Sequence, residues 1–159
     1  MRVFLLFLFF LTSCNNNEFI LKDGVSSNPY KNNTSVIFDK TNEEVFIKEV
    51  LSTFGNNTGS DYILIVSLKE QKENRLVKKN QVAEKIDYEL TADYKMFYKK
   101  TSCNIFNKKI ITKFSFVPKS FGYNFGTDKS LERLYAGSVK KNIQNFINSF
   151  PGKEKVDCL

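Results

Sequence analysis

The chain has 159 residues, with 24 Lys and Arg against 17 Asp and Glu, no histidine and a net charge of +7. That length suits one domain around a single sheet-and-helix core, supplied here by 16 phenylalanines and 7 tyrosines. Without histidine the commonest general base, the commonest metal ligand and the usual triads are missing, so enzymatic and metal-centred roles recede behind a binding or structural one.

The first element is MRVFLLFLFFLTSCNNNEF. Arg2 gives a minimal basic start, and Val3 to Leu11 form an apolar run of nine residues. A run of that length is too short to span a bilayer, which takes about 20 residues, but it suits a secretory signal. Leu11-Thr12-Ser13-Cys14 resembles the bacterial lipobox, an aliphatic residue and two small ones before a cysteine. The resemblance implies a signal peptide over residues 1–13 and lipidation of Cys14, whose acyl chains would hold the protein on a membrane at about 0.8 kcal/mol per buried CH₂. The competing reading is an ordinary signal, or a buried strand, with an incidental cysteine. Asn15 stands where an aspartate would signal inner-membrane retention, so the expected location is the periplasmic side of the outer membrane. Loss of Arg2 leaves 23 basic residues against 17 acidic ones, or +6. The surplus reflects either a Lys- and Asn-rich composition bias or an anionic partner. For an exported protein that partner is lipid or saccharide rather than nucleic acid. Cys103 and Cys158 then remain, and in an oxidising compartment they can pair, although Cys158 sits near a loose C-terminus.

Residues 14–34 read as a polar tether rich in Asn, Ser, Gly24 and Pro29. Ser35 to Asp39 (SVIFD) reads as a short strand. In TNEEVFIKEVLSTFG, Thr41 and Glu44 have capping-box spacing. Phe46, Ile47, Val50, Leu51 and Phe54 then recur at helical spacing before Gly55. Asp61 to Glu70 reads as a buried strand, and residues 71–81 as a polar, basic turn. In EKIDYELTADYKMFYKK, Ile86, Tyr88, Leu90, Ala92, Tyr94, Met96 and Tyr98 alternate strictly with Lys85, Asp87, Glu89, Thr91, Asp93 and Lys95. This pattern is a half-buried antiparallel strand. Residues 108–117 form another, and SFGYNFGT (120–127) is a Gly- and aromatic-rich loop. A final helix from Asp128 as cap to Pro151-Gly152 carries the stripe Leu131, Leu134, Tyr135, Val139, Ile143, Phe146, Ile147 and Phe150. Residues 151–159 read as a flexible tail. The order β-α-β-β-β-α predicts an α+β two-layer sandwich: two helices packed on one face of a four-stranded, mostly antiparallel or mixed sheet.

This order behind a lipobox resembles the LptE family of lipopolysaccharide-assembly lipoproteins. The resemblance rests on Phe19-Ile20-Leu21-Lys22-Asp23 just past the anchor, the SVIFD strand with its helix, the alternating YELTADYKM strand after a basic turn, and the closing helix LERLYAGSVKKNIQNFI. It covers residues 11–150 by order and spacing, with the domain proper at 35–150. The family commonly has glycine after the cysteine, where this chain has Asn15. The resemblance implies a non-enzymatic outer-membrane lipoprotein with no cofactor beyond its covalent lipid. It would plug an LptD-like β-barrel, help it assemble, and aid insertion of lipopolysaccharide into the outer leaflet. Basic side chains can hold lipopolysaccharide phosphates through charge-assisted hydrogen bonds. The family's two ligand-contacting basic positions map onto Lys79, with Lys78 and Lys85 adjacent, and onto the neighbourhood of Glu132, flanked by Lys129 and Arg133. Glu132 has the wrong charge, so the pair is half reproduced. The alternative function is an independent lipid-binding or pilotin-like lipoprotein.

Other constellations point to packing. Tyr88, Tyr94 and Tyr98 lie on the apolar face, where core packing outweighs an aromatic binding shelf. No serine sits in a nucleophile elbow. Phe121 and Tyr123, in the aromatic loop, are candidates for contact with a protein partner.

Overall fold

The computed structural model describes residues 28–77, 83–118 and 125–150. The order is β1 (Thr34–Phe38), α1 (Glu44–Phe54), β2 (Tyr62–Val77), β3 (Ala83–Tyr98), β4 (Cys103–Phe116) and α2 (Phe125–Asn148). The four strands form one sheet in the order β1-β2-β3-β4. β1 runs parallel to β2, a pairing that needs a crossover, and α1 supplies it. The β2–β3 and β3–β4 pairs are antiparallel. The expected α+β sandwich with a mixed sheet is therefore the observed fold.

Both helices pack on one face of the sheet. Alternation along β3 sends Tyr88, Leu90, Ala92, Tyr94 and Met96 inward, as the sequence pattern requires. Leu64 and Val66 of β2 and Ile110 of β4 join them, under Phe46, Val50 and Phe54 of α1 and Val139, Ile143, Phe146 and Ile147 of α2. Phe146 is the hub. Its ring stacks on Tyr94 at 4.1 Å and lies 4.9 Å from Phe150, 5.6 Å from Phe106 and 6.0 Å from Phe54.

One buried polar side chain crosses the two layers. Asn142 of α2 is fully buried. Its carbonyl oxygen accepts from the Tyr94 hydroxyl at 2.8 Å. Its amide nitrogen donates to Ile110 O at 3.1 Å and Thr112 Oγ1 at 3.0 Å. A buried amide of this kind fixes register because sliding the helix would strand every one of these groups. Burial pushes the Tyr94 phenol far above its usual range, so it stays a donor at any physiological pH.

Several local expectations need correction. Thr41 does not cap α1. The cap residue is Glu43, with no side-chain bond. The Thr41 hydroxyl instead accepts from Leu68 N–H at 2.8 Å and donates to Asp39 O, tying the loop before α1 to β2. Tertiary pairing thus captured the hydroxyl that the local motif would have used. The basic turn expected at 71–81 is mostly strand, since β2 continues to Val77. β4 begins at Cys103 rather than 108, with an extra residue at the irregularity facing Met96 and Phe97. α2 starts at Phe125, so Asp128 lies inside the helix rather than capping it, and the end of the expected aromatic loop is helical. Cys103 is disulfide-bonded. Cys158 and the whole 151–159 tail lie outside the described residues, as do 1–13 and most of the tether.

The final part of that tether, Asn28 to Asn33, is a hydrogen-bonded turn. Asn28 Nδ2 donates to Thr53 O at 2.9 Å and Asn32 N–H to Phe54 O at 2.8 Å. Tyr30 packs between Tyr62 and Phe150, with ring centroids at 4.9 and 5.0 Å. The chain therefore joins the domain at the C-terminal ends of both helices. Gly55 makes this possible. Its φ is +75°, and a Cβ there would sit 2.7 Å from Asn32 Oδ1.

Candidate functional site

The helices leave the second face of the sheet uncovered. It carries the outward residues of β3 and their neighbours, and they are organised by the strand register. Asp87 lies opposite Ser115, Glu89 opposite Lys113, and Asp93 opposite Lys109. Each is a cross-strand contact: Ser115 Oγ donates to Asp87 at 2.6 Å, Lys113 Nζ meets Glu89 at 2.8 Å, and Lys109 Nζ meets Asp93 at 3.9 Å. From β2, Arg75 Nε reaches diagonally to Asp87 at 2.8 Å, and Lys85 Nζ lies 3.5 Å from the same carboxylate. The Ser115 hydrogen bond, with Lys85 and Arg75 beside it, holds the Asp87 carboxyl below the usual range. The Lys113 hydrogen bond does the same for Glu89.

At the hairpin end of this face is a groove of about 610 Å³. Its walls include Gln71, Glu73, Arg75, Asp87, Lys113 and Ser115. It is polar and nearly charge-balanced, so it suits hydrogen-bonded, zwitterionic or phosphate-bearing surfaces better than an apolar ligand. A smaller groove of about 310 Å³ lies on the helix side, walled by Glu43, Val45, Glu70, Lys72, Tyr88, Leu131, Glu132 and Tyr135. Lys72 Nζ occupies part of it, 3.1 Å from Glu70 and 5.3 Å from the Tyr88 ring centre. The Glu70 hydrogen bond raises the Lys72 pKa against a smaller desolvation effect. The Tyr135 hydroxyl is buried there without a well-formed hydrogen bond. Burial, with Glu70 and Glu43 close by, pushes its pKa well above the usual phenol value.

The expected site residues divide between surfaces. Lys85 stands on the open face beside the larger groove, but Asp87 engages it. Lys129 and Arg133 are exposed on α2, in the opposite layer. One small ligand headgroup therefore does not meet all three. Lys78, Lys79, Phe121, Tyr123 and Cys14 lie outside the described residues. The sequence reading missed Arg75 and Lys113, which do meet Lys85's surroundings. The signal was present: Gln71, Glu73 and Arg75 keep the period of two set by β2. It was hidden because both faces of that stretch are exposed and no apolar residue marks the alternation. Tyr88 and Tyr94 are core residues, as their parity predicts, and Tyr98 is half-buried against Tyr62. Among the described residues no helix is long and apolar enough to cross a membrane.

No family model and no curated protein matches the sequence. Solved structures do. A Caulobacter crescentus protein classed as a lipoprotein is 15% identical, with a TM-score of 0.51 over 78% of this chain and 92% of that one. Lipoprotein B of Nitrosomonas europaea is 12% identical, with a TM-score of 0.52 over 81% and 87%. Rare lipoprotein B of Shewanella oneidensis is 9% identical, with a TM-score of 0.50 over 72% and 89%. At these identities the likeness is one of fold, and the fold is that of a group of small bacterial lipoproteins.

Proposed function

We propose that this protein is an LptE-like outer-membrane lipoprotein. Anchored through Cys14, it partners an LptD-like β-barrel, helps the barrel assemble, and supports insertion of lipopolysaccharide into the outer leaflet. The role is non-enzymatic and uses no cofactor beyond the covalent lipid. The observation that carries the reading is the agreement between a lipobox-like leader and a fold shared with rare lipoprotein B. Each alone is weak, but they are independent. The first is read from fourteen residues outside the described domain, the second from the domain's backbone.

The open face of the sheet supports the reading physically. A plug inside a polar barrel lumen needs a rigid surface of paired charges rather than an apolar patch, because unpaired charges or bare apolar area would each cost free energy on insertion. The Asp87–Ser115, Glu89–Lys113 and Asp93–Lys109 rungs supply such pairs, with the exposed Ile111 between the last two. Lys85, Arg75 and Lys113 at the hairpin end are the residues best placed to exchange a carboxylate partner for a lipopolysaccharide phosphate.

The test is affinity purification of the acylated protein in mild detergent, followed by mass spectrometry. Recovery of a large outer-membrane barrel at one-to-one stoichiometry is the expected result. A clean monomer would overturn the plug role and leave an independent lipid-binding or pilotin-like lipoprotein. Lys113→Gln with Arg75→Gln should weaken lipopolysaccharide capture several-fold if the hairpin end contacts it.

A further inference from the structure

The positive charge of the described domain is not spread evenly. On the open sheet face Arg75, Lys85, Lys109 and Lys113 have carboxylate partners within 4 Å, and Lys69 and Lys95 have none among the described residues. On α2, Lys129, Arg133, Lys140 and Lys141 are exposed, and none has an ion pair among the described residues. Their spacing is informative. At about 100° per residue, steps of four and seven place Lys129, Arg133 and Lys140 within roughly 40° of one line along the helix. Ala136 and Gly137 lie between them, so no bulky side chain screens the middle of the stripe. A side chain added at Gly137 would meet nothing within 4 Å. The buried row of Val139, Asn142, Ile143 and Phe146 is centred roughly 110° around the helix from this line, so the stripe runs along the exposed flank of α2, and Lys141 lies nearer its back.

The position of the tether gives this stripe a direction. The chain joins the domain at the C-terminal end of α2, through the Tyr30–Phe150 contact. At 1.5 Å per residue, Lys140 lies roughly 12 Å from that end and Lys129 roughly 29 Å from it. Residues 14–27, if extended, reach about 45 Å. A domain anchored at Cys14 can therefore lay the basic flank of α2 along the anchoring surface without stretching its tether.

We propose that the exposed flank of α2 is a docking surface for an anionic phospholipid membrane, with Lys129, Arg133 and Lys140 contacting headgroup phosphates and Lys141 beside them toward the back of the helix. Basic residues near such a surface act additively and are screened by salt. Four of them give weak binding alone. With the domain tethered, the local headgroup concentration is high enough for the same contacts to set orientation. The surface holds the free lipoprotein with α2 against the membrane and the open sheet face away from it. The argument uses the tether of the lipoprotein reading, but the contact itself needs neither acylation nor a barrel.

The test uses the chain from Asn15 onward, which lacks the lipid anchor and keeps every described residue and the whole core. It is sedimented with vesicles of phosphatidylcholine alone and with vesicles in which roughly a third of the lipid is anionic phosphatidylglycerol. Expected is binding to the anionic vesicles only, lost at high salt. Arg133→Glu with Lys140→Glu should weaken it at least tenfold. Lys69→Glu with Lys95→Glu, on the open sheet face, makes the same change in net charge and should change it less than threefold. Circular dichroism and melting of both double variants establish that they fold. Equal loss in the two pairs would mean that net charge alone is responsible and would overturn the proposal. So would binding that persists at high salt, or no anionic preference at all. Failure here leaves the barrel partnership to be decided by co-purification.

Discussion

The two faces of β3 share one backbone and differ in everything else. Inward, Tyr88 to Met96 meet two helices and are buried to within a few per cent. Outward, Asp87, Glu89 and Asp93 meet the neighbouring strands and water, and pair across to Ser115, Lys113 and Lys109. The inward face is held by area and shape, which salt and pH barely touch. The outward face is held by charge, which solvent screens. The first decides whether the domain folds, and the second decides what it presents to a partner.

The comparison breaks most clearly at the hub of the inward face. Phe146→Ala should destabilise the domain by about 3–5 kcal/mol, because four aromatic neighbours cannot close over the space. Urea unfolding measures this, and a cost below about 1 kcal/mol would mean that α2 is not packed as described. Next is the buried amide. Asn142→Ala leaves the Tyr94 and Thr112 hydroxyls without their partner and should cost about 1–3 kcal/mol for the unsatisfied groups, with a cavity term in addition. The double variant Asn142→Leu, Tyr94→Phe should recover part of that loss. If it is worse than Asn142→Ala, the network supplies stability rather than register. Gly55→Ala, at the turn that receives the tether, should cost about 1–3 kcal/mol through its positive φ and the Asn32 contact.

The outward face should respond least. Glu89→Gln removes the Lys113 rung, and its melting shift at neutral pH should be smaller than that of any variant above. Its pH dependence has a definite sign. Asp87 and Glu89 have folded-state pKa values below their unfolded ones, so their contribution is complete only well above the ordinary carboxyl values of 3.8 and 4.5 and is lost as pH falls through the folded values. Melting at pH 7 and pH 3 should therefore differ less in Glu89→Gln than in the parent chain. A larger difference in the variant would remove the rung from the account.

How much of this was legible in the sequence depends on whether a local pattern had a competitor. The strict alternation of 86–98 and the helical stripe of 131–150 had none, because each needs only one apolar environment, and both were correctly placed apart from Leu134, which is 41% exposed. The capping box at Thr41 and Glu44 did have one. Leu68 N–H, 27 residues away, took the Thr41 hydroxyl, and no local reading anticipates a donor at that separation. Residues 71–77 were read as a turn because their polarity matches a turn, whereas their strand character comes from pairing with 83–89. The site residues fared as their surroundings did. Lys85 was placed on the outward face by parity alone. Its separation from Lys129 and Arg133 followed from which face the helices chose.

By itself, the sequence determined the element order, the inward set of β3 and the apolar face of α2. Periodicity is a property of one segment, and burial rewards it wherever the segment lands. The order also implied the two-layer sandwich, since two amphipathic helices and a sheet must bury their faces together. Only the tertiary structure decided that β1 pairs parallel to β2, that Asn142 reaches across to Tyr94 and Thr112, and that the carboxylates of β3 pair with Lys109 and Lys113 of β4 but not with the lysines of α2. Those outcomes depend on groups brought together across 16 to 48 residues of chain. Hydrogen bonds and ion pairs act over a few ångströms, and distance along the sequence does not encode that proximity.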